Sequence, residues 1–95
     1  MIEVTIDPHE LLLSGHARAG PPGQDIVCAA VSALTETLAA ALDALTEDKV
    51  NIEKQSGYFR LQYGNRSKES QFLIDSFFVG ICGIADSYPE YVKIS

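Results

Sequence analysis

Two long segments of the chain repeat apolar residues at the period of an α-helix, and each is flanked by segments that repeat them at the period of a strand. Val27, Val31, Leu34, Leu38, Leu42 and Leu45 are spaced by four, three, four, four and three residues, which puts all six on one helical face. The spacing predicts a helix running from an N-cap at Asp25 to about Leu45. Alanines at positions 29, 30, 33, 39, 40, 41 and 44 raise helix propensity and allow close approach to a sheet or a partner helix. Leu73, Ile74, Phe77, Phe78, Ile81, Ile84 and Ala85 form a second stripe, capped by Ser67 or Ser70 and ended before Pro89. Cys82 falls on its apolar side and is expected in the core.

The flanking segments alternate instead. Ile2, Val4 and Ile6 interleave with Glu3, Thr5 and Asp7, the pattern of a half-buried strand. Asp7-Pro8 interrupts it, with His9 in an exposed turn, and Leu11-Leu12-Leu13 reads as a second strand of the same hairpin. Val50 and Ile52, then Tyr58, Phe59, Leu61 and Tyr63, form a second hairpin turning at Gly57. Tyr91-Val92-Lys93-Ile94 makes a last short strand. The expected fold is α/β of the α+β type: one domain over 1–95, order ββαββαβ, a two-layer sandwich of two helices on a mainly antiparallel sheet. A chain of 95 residues buries a modest share of its surface. A homodimer is one common way to cover the remaining apolar face.

Charge narrows the function classes. Seven basic against thirteen acidic residues give a net charge of −6. Nucleic-acid binders need a basic stripe to displace counterions, and Arg60, Arg66 and Lys68 form only a thin, interrupted cluster. No direct nucleic-acid binding is expected, whereas a basic protein or peptide partner would suit this surface. The N-terminal residues carry neither a basic n-region nor an apolar h-region. Apolar runs are interrupted well before about 18 residues, so no membrane span is expected. Two cysteines without a secretory signal point to free thiols in a reducing compartment, the cytoplasm. Cys28, Cys82, His9 and His16 lack zinc-ligand spacing, and no phosphate loop is present. Neither metal nor cofactor is expected.

The chemistry lies between Ser14 and Ser32. Ser14 to Gly23 is a loop containing Gly15, Gly20, Pro21, Pro22 and Gly23. With Asp25 as N-cap, Cys28 occupies the third helical position. A thiolate there faces unpaired N–H groups and the positive end of the helix dipole, and the thiolate is the reactive form. His16 lies twelve residues earlier, where the loop can fold back over the helix start. A Cys–His pair is one way to activate a nucleophile. Backbone N–H groups near Cys28 could form an oxyanion hole. Asp25 could orient His16, cap the helix, or do both, and Gly15 and Gly23 would let backbone approach a peptide closely. Residue types alone leave plainer readings open: Cys28 as a small buried apolar residue, His16 as a loop residue, Asp25 as a cap only.

Gly15-His16-Ala17, then Gly23-x-Asp25-Ile26-Val27-Cys28-Ala29-Ala30-Val31-Ser32, resembles the signature of the ribosomal-processing cysteine proteases, the Prp family. Tyr88-Pro89-Glu90-Tyr91-Val92 is similar to that family's C-terminal pattern. The resemblance implies a Cys28–His16 dyad, with Asp25 and Gly15 on supporting positions. It implies an endopeptidase that removes a short, hydrophobic, Phe-containing N-terminal extension from a bacterial large-subunit ribosomal protein precursor, or a similar leader from phage proteins. It also implies a homodimer and a loop, Ala17 to Gly23, that orders over the substrate. Two features depart from the family: a shorter first hairpin, and the adjacent prolines Pro21-Pro22, which limit the loop's freedom. Tyr58, Phe59 or Tyr63 could accept the leader's aromatic side chains. The rival readings are a non-catalytic binding module for a ribosomal or phage protein and a thiol redox protein using Cys82 as resolving thiol.

Overall fold

The computed structural model describes residues 1–21 and 23–95 and realises the order ββαββαβ. Pro22, half of the proline pair singled out above, lies outside the described residues. Strands β1 (Ile2–Asp7) and β2 (Glu10–Ser14) form the first hairpin, with Asp7 opposite Glu10. Helix α1 (Ile26–Leu45) leads to the second hairpin, β3 (Asn51–Gln55) and β4 (Tyr58–Gln62); α2 (Lys68–Ser87) then leads to β5 (Val92–Ile94). The sheet order is β3-β4-β2-β1-β5. β4 lies antiparallel to β2, and β5 lies parallel to β1, the single parallel pairing in an otherwise antiparallel sheet.

Register explains why one sheet face is the core. Val4, Leu13 and Phe59 stand in one row across β1, β2 and β4, and Ile6, Leu11 and Leu61 in the next. Because side chains alternate along a strand, each row presents to the same face. Those rows join Val27, Val31, Leu38 and Leu42 of α1 and Ile74, Phe77 and Ile81 of α2 in one cluster. Truncating a fully buried member such as Leu11, Leu42 or Leu61 to alanine costs about 2–5 kcal/mol.

The helix stripe differs from expectation at its end. Leu45 is 67% exposed, while Thr35 is buried within the stripe and donates its Oγ1–H to the Ser32 carbonyl at 3.0 Å. Leu45 is the last residue of the helix and lies outside the core cluster. Cys82 is half-buried rather than wholly in the core. By length and composition α1 could cross a membrane, although no segment was expected to; its buried stripe packs in this core, as the core helix of a sheet protein does.

Ser67, rather than Ser70, caps α2, accepting from the Ser70 N–H at 3.2 Å. Asp48 completes the cap: its Oδ2 accepts from the Ser67 N–H at 2.7 Å, the Ser67 hydroxyl at 2.8 Å and the Ser70 hydroxyl at 2.6 Å. The far end of the first hairpin is fastened by Tyr63 and Arg66. Tyr63 donates its hydroxyl to the Asp7 carbonyl at 3.0 Å, and Arg66 donates to the Pro8 carbonyl at 2.9 Å while its guanidinium lies over the Tyr63 ring. Two members of the thin basic cluster are thus engaged internally, since Arg60 also pairs with Glu10.

Candidate active site

The first turn of α1 is built around Asp25. Its backbone is extended, as an N-cap requires. Its Oδ1 accepts from the Cys28 N–H at 2.9 Å, and its Oδ2 accepts from the Ala19 N–H, also at 2.9 Å. The Cys28 N–H is the chief cause holding the Asp25 carboxyl below its ordinary range; desolvation opposes it, and the Ala19 N–H and the Cys28 side chain add smaller contributions in the same direction as the Cys28 N–H. One carboxylate therefore caps the helix and ties the preceding loop to it. Of the roles open to Asp25, the structure supports the cap, and among the described residues both oxygens go to backbone rather than to His16.

Cys28 is half-buried at the third position of α1. The Ala17 N–H points at its Sγ from 3.4 Å, so the loop crosses directly over the thiol. Ala17 is 3% exposed and packs in the core, which anchors that crossing. Arg18, between the two loop N–H groups that reach Cys28 and Asp25, has φ of 57°. A side-chain-bearing residue pays of order 1 kcal/mol for that conformation. The Asp25 bond and the buried Ala17 hold it there.

His16 is exposed at the end of β2. Its main chain is held on one side by the Met1 amino group, which donates to its carbonyl at 2.6 Å. On the other side the preceding residue, Gly15, donates its N–H to the Gly57 carbonyl at 2.9 Å. Gly15 has φ of 100°, and a Cβ there would stand 2.2 Å from the Met1 carbonyl oxygen. Its freedom serves this internal approach. Gly23, with φ of 83°, faces open space.

His16 and Cys28 line one cleft of about 120 Å³. Ile2, Leu13, Val31 and Phe59 make its apolar floor, and Ser32, Thr35, Lys54, Gln55, Gly57 and Tyr58 complete the wall. Of the three aromatic residues expected near a substrate, Tyr58 and Phe59 line the cleft. Tyr63 does not: its ring is buried at the opposite end of the hairpin, where its hydroxyl has a structural partner. Sequence reasoning missed Gly57 and Lys54. Gly57 had been assigned only a turn, and nothing in the spacing brings Lys54 across to α1, where it pairs with Glu36 at 2.7 Å. Among the described residues no cluster of His, Cys, Asp and Glu is arranged to hold a metal ion. Both cysteines are free thiols.

A family model described as cysteine protease Prp matches residues 1–93. The ribosomal processing cysteine protease Prp of Mycoplasma pneumoniae is 56% identical to this chain, over 98% of it and 92% of the relative. The protein of the same name from Staphylococcus aureus is 25% identical, over 99% of this chain and 95% of its own length. A crystal structure of the S. aureus protease with a covalently linked product peptide superposes on this fold with a TM-score of 0.90, at 25% identity, covering 99% of this chain and 95% of that one. The non-catalytic and redox alternatives give way to the enzyme class of these relatives. The α+β sandwich, the match along nearly the whole chain and the shared enzyme class lead to one conclusion: this chain belongs to the Prp family of cysteine proteases.

Proposed function

We propose that this chain is an endopeptidase that removes an N-terminal leader from a bacterial ribosomal protein, with Cys28 as nucleophile and His16 as general base. The observation that carries the reading is the cleft that both side chains line, with the thiol in the first turn of α1. Relatives of similar length are ribosomal processing proteases, and one was crystallised with a covalently linked product peptide. Leaders on phage proteins are a variant of the same substrate class.

In this mechanism His16 takes the proton from Cys28, and the thiolate attacks the scissile carbonyl carbon to form a tetrahedral adduct. Its collapse breaks the C–N bond, with His16 returning the proton to the leaving amine. Water then attacks the thioester, again deprotonated by His16, and releases the acid product and the thiol. Oxyanion stabilisation needs an N–H that is free to serve. The Cys28 N–H is held by Asp25 and the Ala29 N–H by the Asp25 carbonyl. The Ala17 N–H, directed at the sulfur from 3.4 Å, is the donor that the loop brings to the reacting atom. The apolar floor of Ile2, Leu13, Val31 and Phe59 suits a hydrophobic leader. A second copy of the chain is the proposed occupant of the exposed α2 face bearing Phe72 and Val79, 67% and 72% exposed, and the cytoplasm the proposed compartment.

The test is cleavage of a Phe-containing ribosomal leader peptide by wild type beside Cys28→Ala. Cleavage by wild type alone is expected. A Cys28→Ala protein that cut at the normal rate would overturn the assignment of the nucleophile.

A further inference from the structure

The dyad reading leaves one question open: what holds the His16 ring. Asp25 spends both carboxylate oxygens on backbone N–H groups, and among the described residues no hydrogen bond holds either imidazole nitrogen. We infer that Gly57 is a positioning residue for His16, because the bare backbone of the β3–β4 turn is the surface against which the imidazole lies.

A Cβ built on Gly57 would stand 2.5 Å from His16 Nε2, 3.0 Å from Cε1 and 3.1 Å from Cδ2. All three lie inside ordinary contact distance, and the near-equality of the last two places the clash at the Nε2 end of the ring. A side chain at position 57 is admitted only if the imidazole moves off the turn. The same residue also holds the chain that carries the ring, since the Gly57 carbonyl accepts the Gly15 N–H at 2.9 Å. Main chain and ring of the base are thus referred to one residue of the second hairpin, forty-one positions away in sequence. With its main chain fastened and one side of its ring blocked by the turn, the exposed His16 side chain has fewer rotamers open to it. That restriction replaces the hydrogen-bonding partner a base usually has.

Backbone conformation alone does not explain the glycine. Its φ of 71° is left-handed, but asparagine tolerates that region well. A turn with no further duty would accept asparagine and leave His16 alone, whereas at a seat for the imidazole any Cβ displaces the ring. Gly57→Asn therefore separates the two roles.

This inference rests on His16 being the base, so the experiment has a readout that does not depend on cleavage. Gly57→Asn is made in wild type and in His16→Ala, and melting temperatures are compared as a double-mutant cycle. The expected result is a Tm loss that is modestly larger in the wild-type background than when the ring is removed. A Gly57→Asn protein too unstable to assay by cleavage still decides the matter, through the smaller Tm loss in the His16→Ala background. In leader-peptide kinetics, the expected change is a fall in kcat of roughly 10²-fold with KM little altered, the size that a 1 Å displacement of a reacting group produces. Equal Tm losses in the two backgrounds, or cleavage by Gly57→Asn at the wild-type rate, would overturn the inference. If wild type cuts no leader while the Tm cycle shows coupling, the protease assignment fails and the seat for His16 stands.

Discussion

The two helices of this molecule begin alike and end up with opposite duties. Both are twenty residues long, and both carry a chalcogen side chain at the third position: Cys28 in α1, Ser70 in α2. Each start is organised by a carboxylate whose acidity is raised by the donors it gathers. At α2, Asp48 takes three donors on one oxygen, including the Ser70 hydroxyl itself, and Ser70 is 1% exposed. At α1, Asp25 takes the Cys28 and Ala19 N–H groups, with the Cys28 side chain as a lesser donor. The sulfur, approached by the Ala17 N–H at 3.4 Å, stays half-buried in the wall of a cleft. A carboxylate at a helix start does not by itself make a reactive site. What matters is whether the third residue's side chain is sealed in, as Ser70 is, or left half-buried in a cleft, as Cys28 is.

The strongest way to break this comparison is to exchange the two positions' fates. Cys28→Ala is expected to lose at least about 10³-fold in leader cleavage with little change in stability, because its side chain is only half-buried. Ser70→Ala is expected to do the reverse. Losing a buried hydrogen bond to a carboxylate costs about 1–3 kcal/mol, read as a lower urea midpoint, while the folded protein still cuts. Next in size, His16→Ala should lower kcat by roughly 10²- to 10⁴-fold, the range for removal of a general base, with KM nearly unchanged. A larger effect on KM than on kcat would mean that His16 binds leader rather than moving protons.

Acid should loosen both helix starts. Both carboxyls have folded pKa values below the ordinary 3.8, chiefly through the Cys28 N–H for Asp25 and the Ser70 hydroxyl for Asp48. Their contribution is therefore complete above the unfolded value and is lost as pH falls through the lower folded one. The decline in Tm is expected below about pH 4, and each of Asp25→Asn and Asp48→Asn should flatten it. Hydrogen exchange distinguishes the two sites. Asp25→Asn should speed exchange at Ala17 and Ala19 and leave α2 protected, and unchanged Ala19 exchange would contradict the clasp. The smallest effect belongs to the Lys54–Glu36 pair, whose side chains are 53% and 59% exposed. Glu36→Gln should shift stability by less than about 1 kcal/mol, and the shift should shrink further in high salt.

Much of the architecture was legible because periodicity is a local property. The stripe from Val27 to Leu42 and the alternation Ile2-Val4-Ile6 each name a face without reference to the rest of the chain. Where local reading failed, a distant partner decided. Tyr63 reads as one more apolar strand residue, yet its hydroxyl is committed to the Asp7 carbonyl at the far end of the first hairpin. Leu45 continues the stripe by count, but the core ends at Leu42 and Leu45 is left exposed. The choice of Ser67 over Ser70 as cap follows from Asp48, which binds both.

By itself, the sequence determined the order of elements, the N-cap at Asp25 and hence the seat of Cys28 in the first turn of α1, since helix starts depend on side chains only a few residues apart. Its His–Cys motif also pointed to the family. Only the tertiary structure decided that β5 joins β1 in parallel, that Asp25 holds the loop instead of His16, and that the imidazole rests on Gly57. The physical reason is range. A cap or a stripe is settled within a few turns of chain. The space beside a side chain is settled by whichever backbone the sheet brings to it, here a turn forty-one residues away.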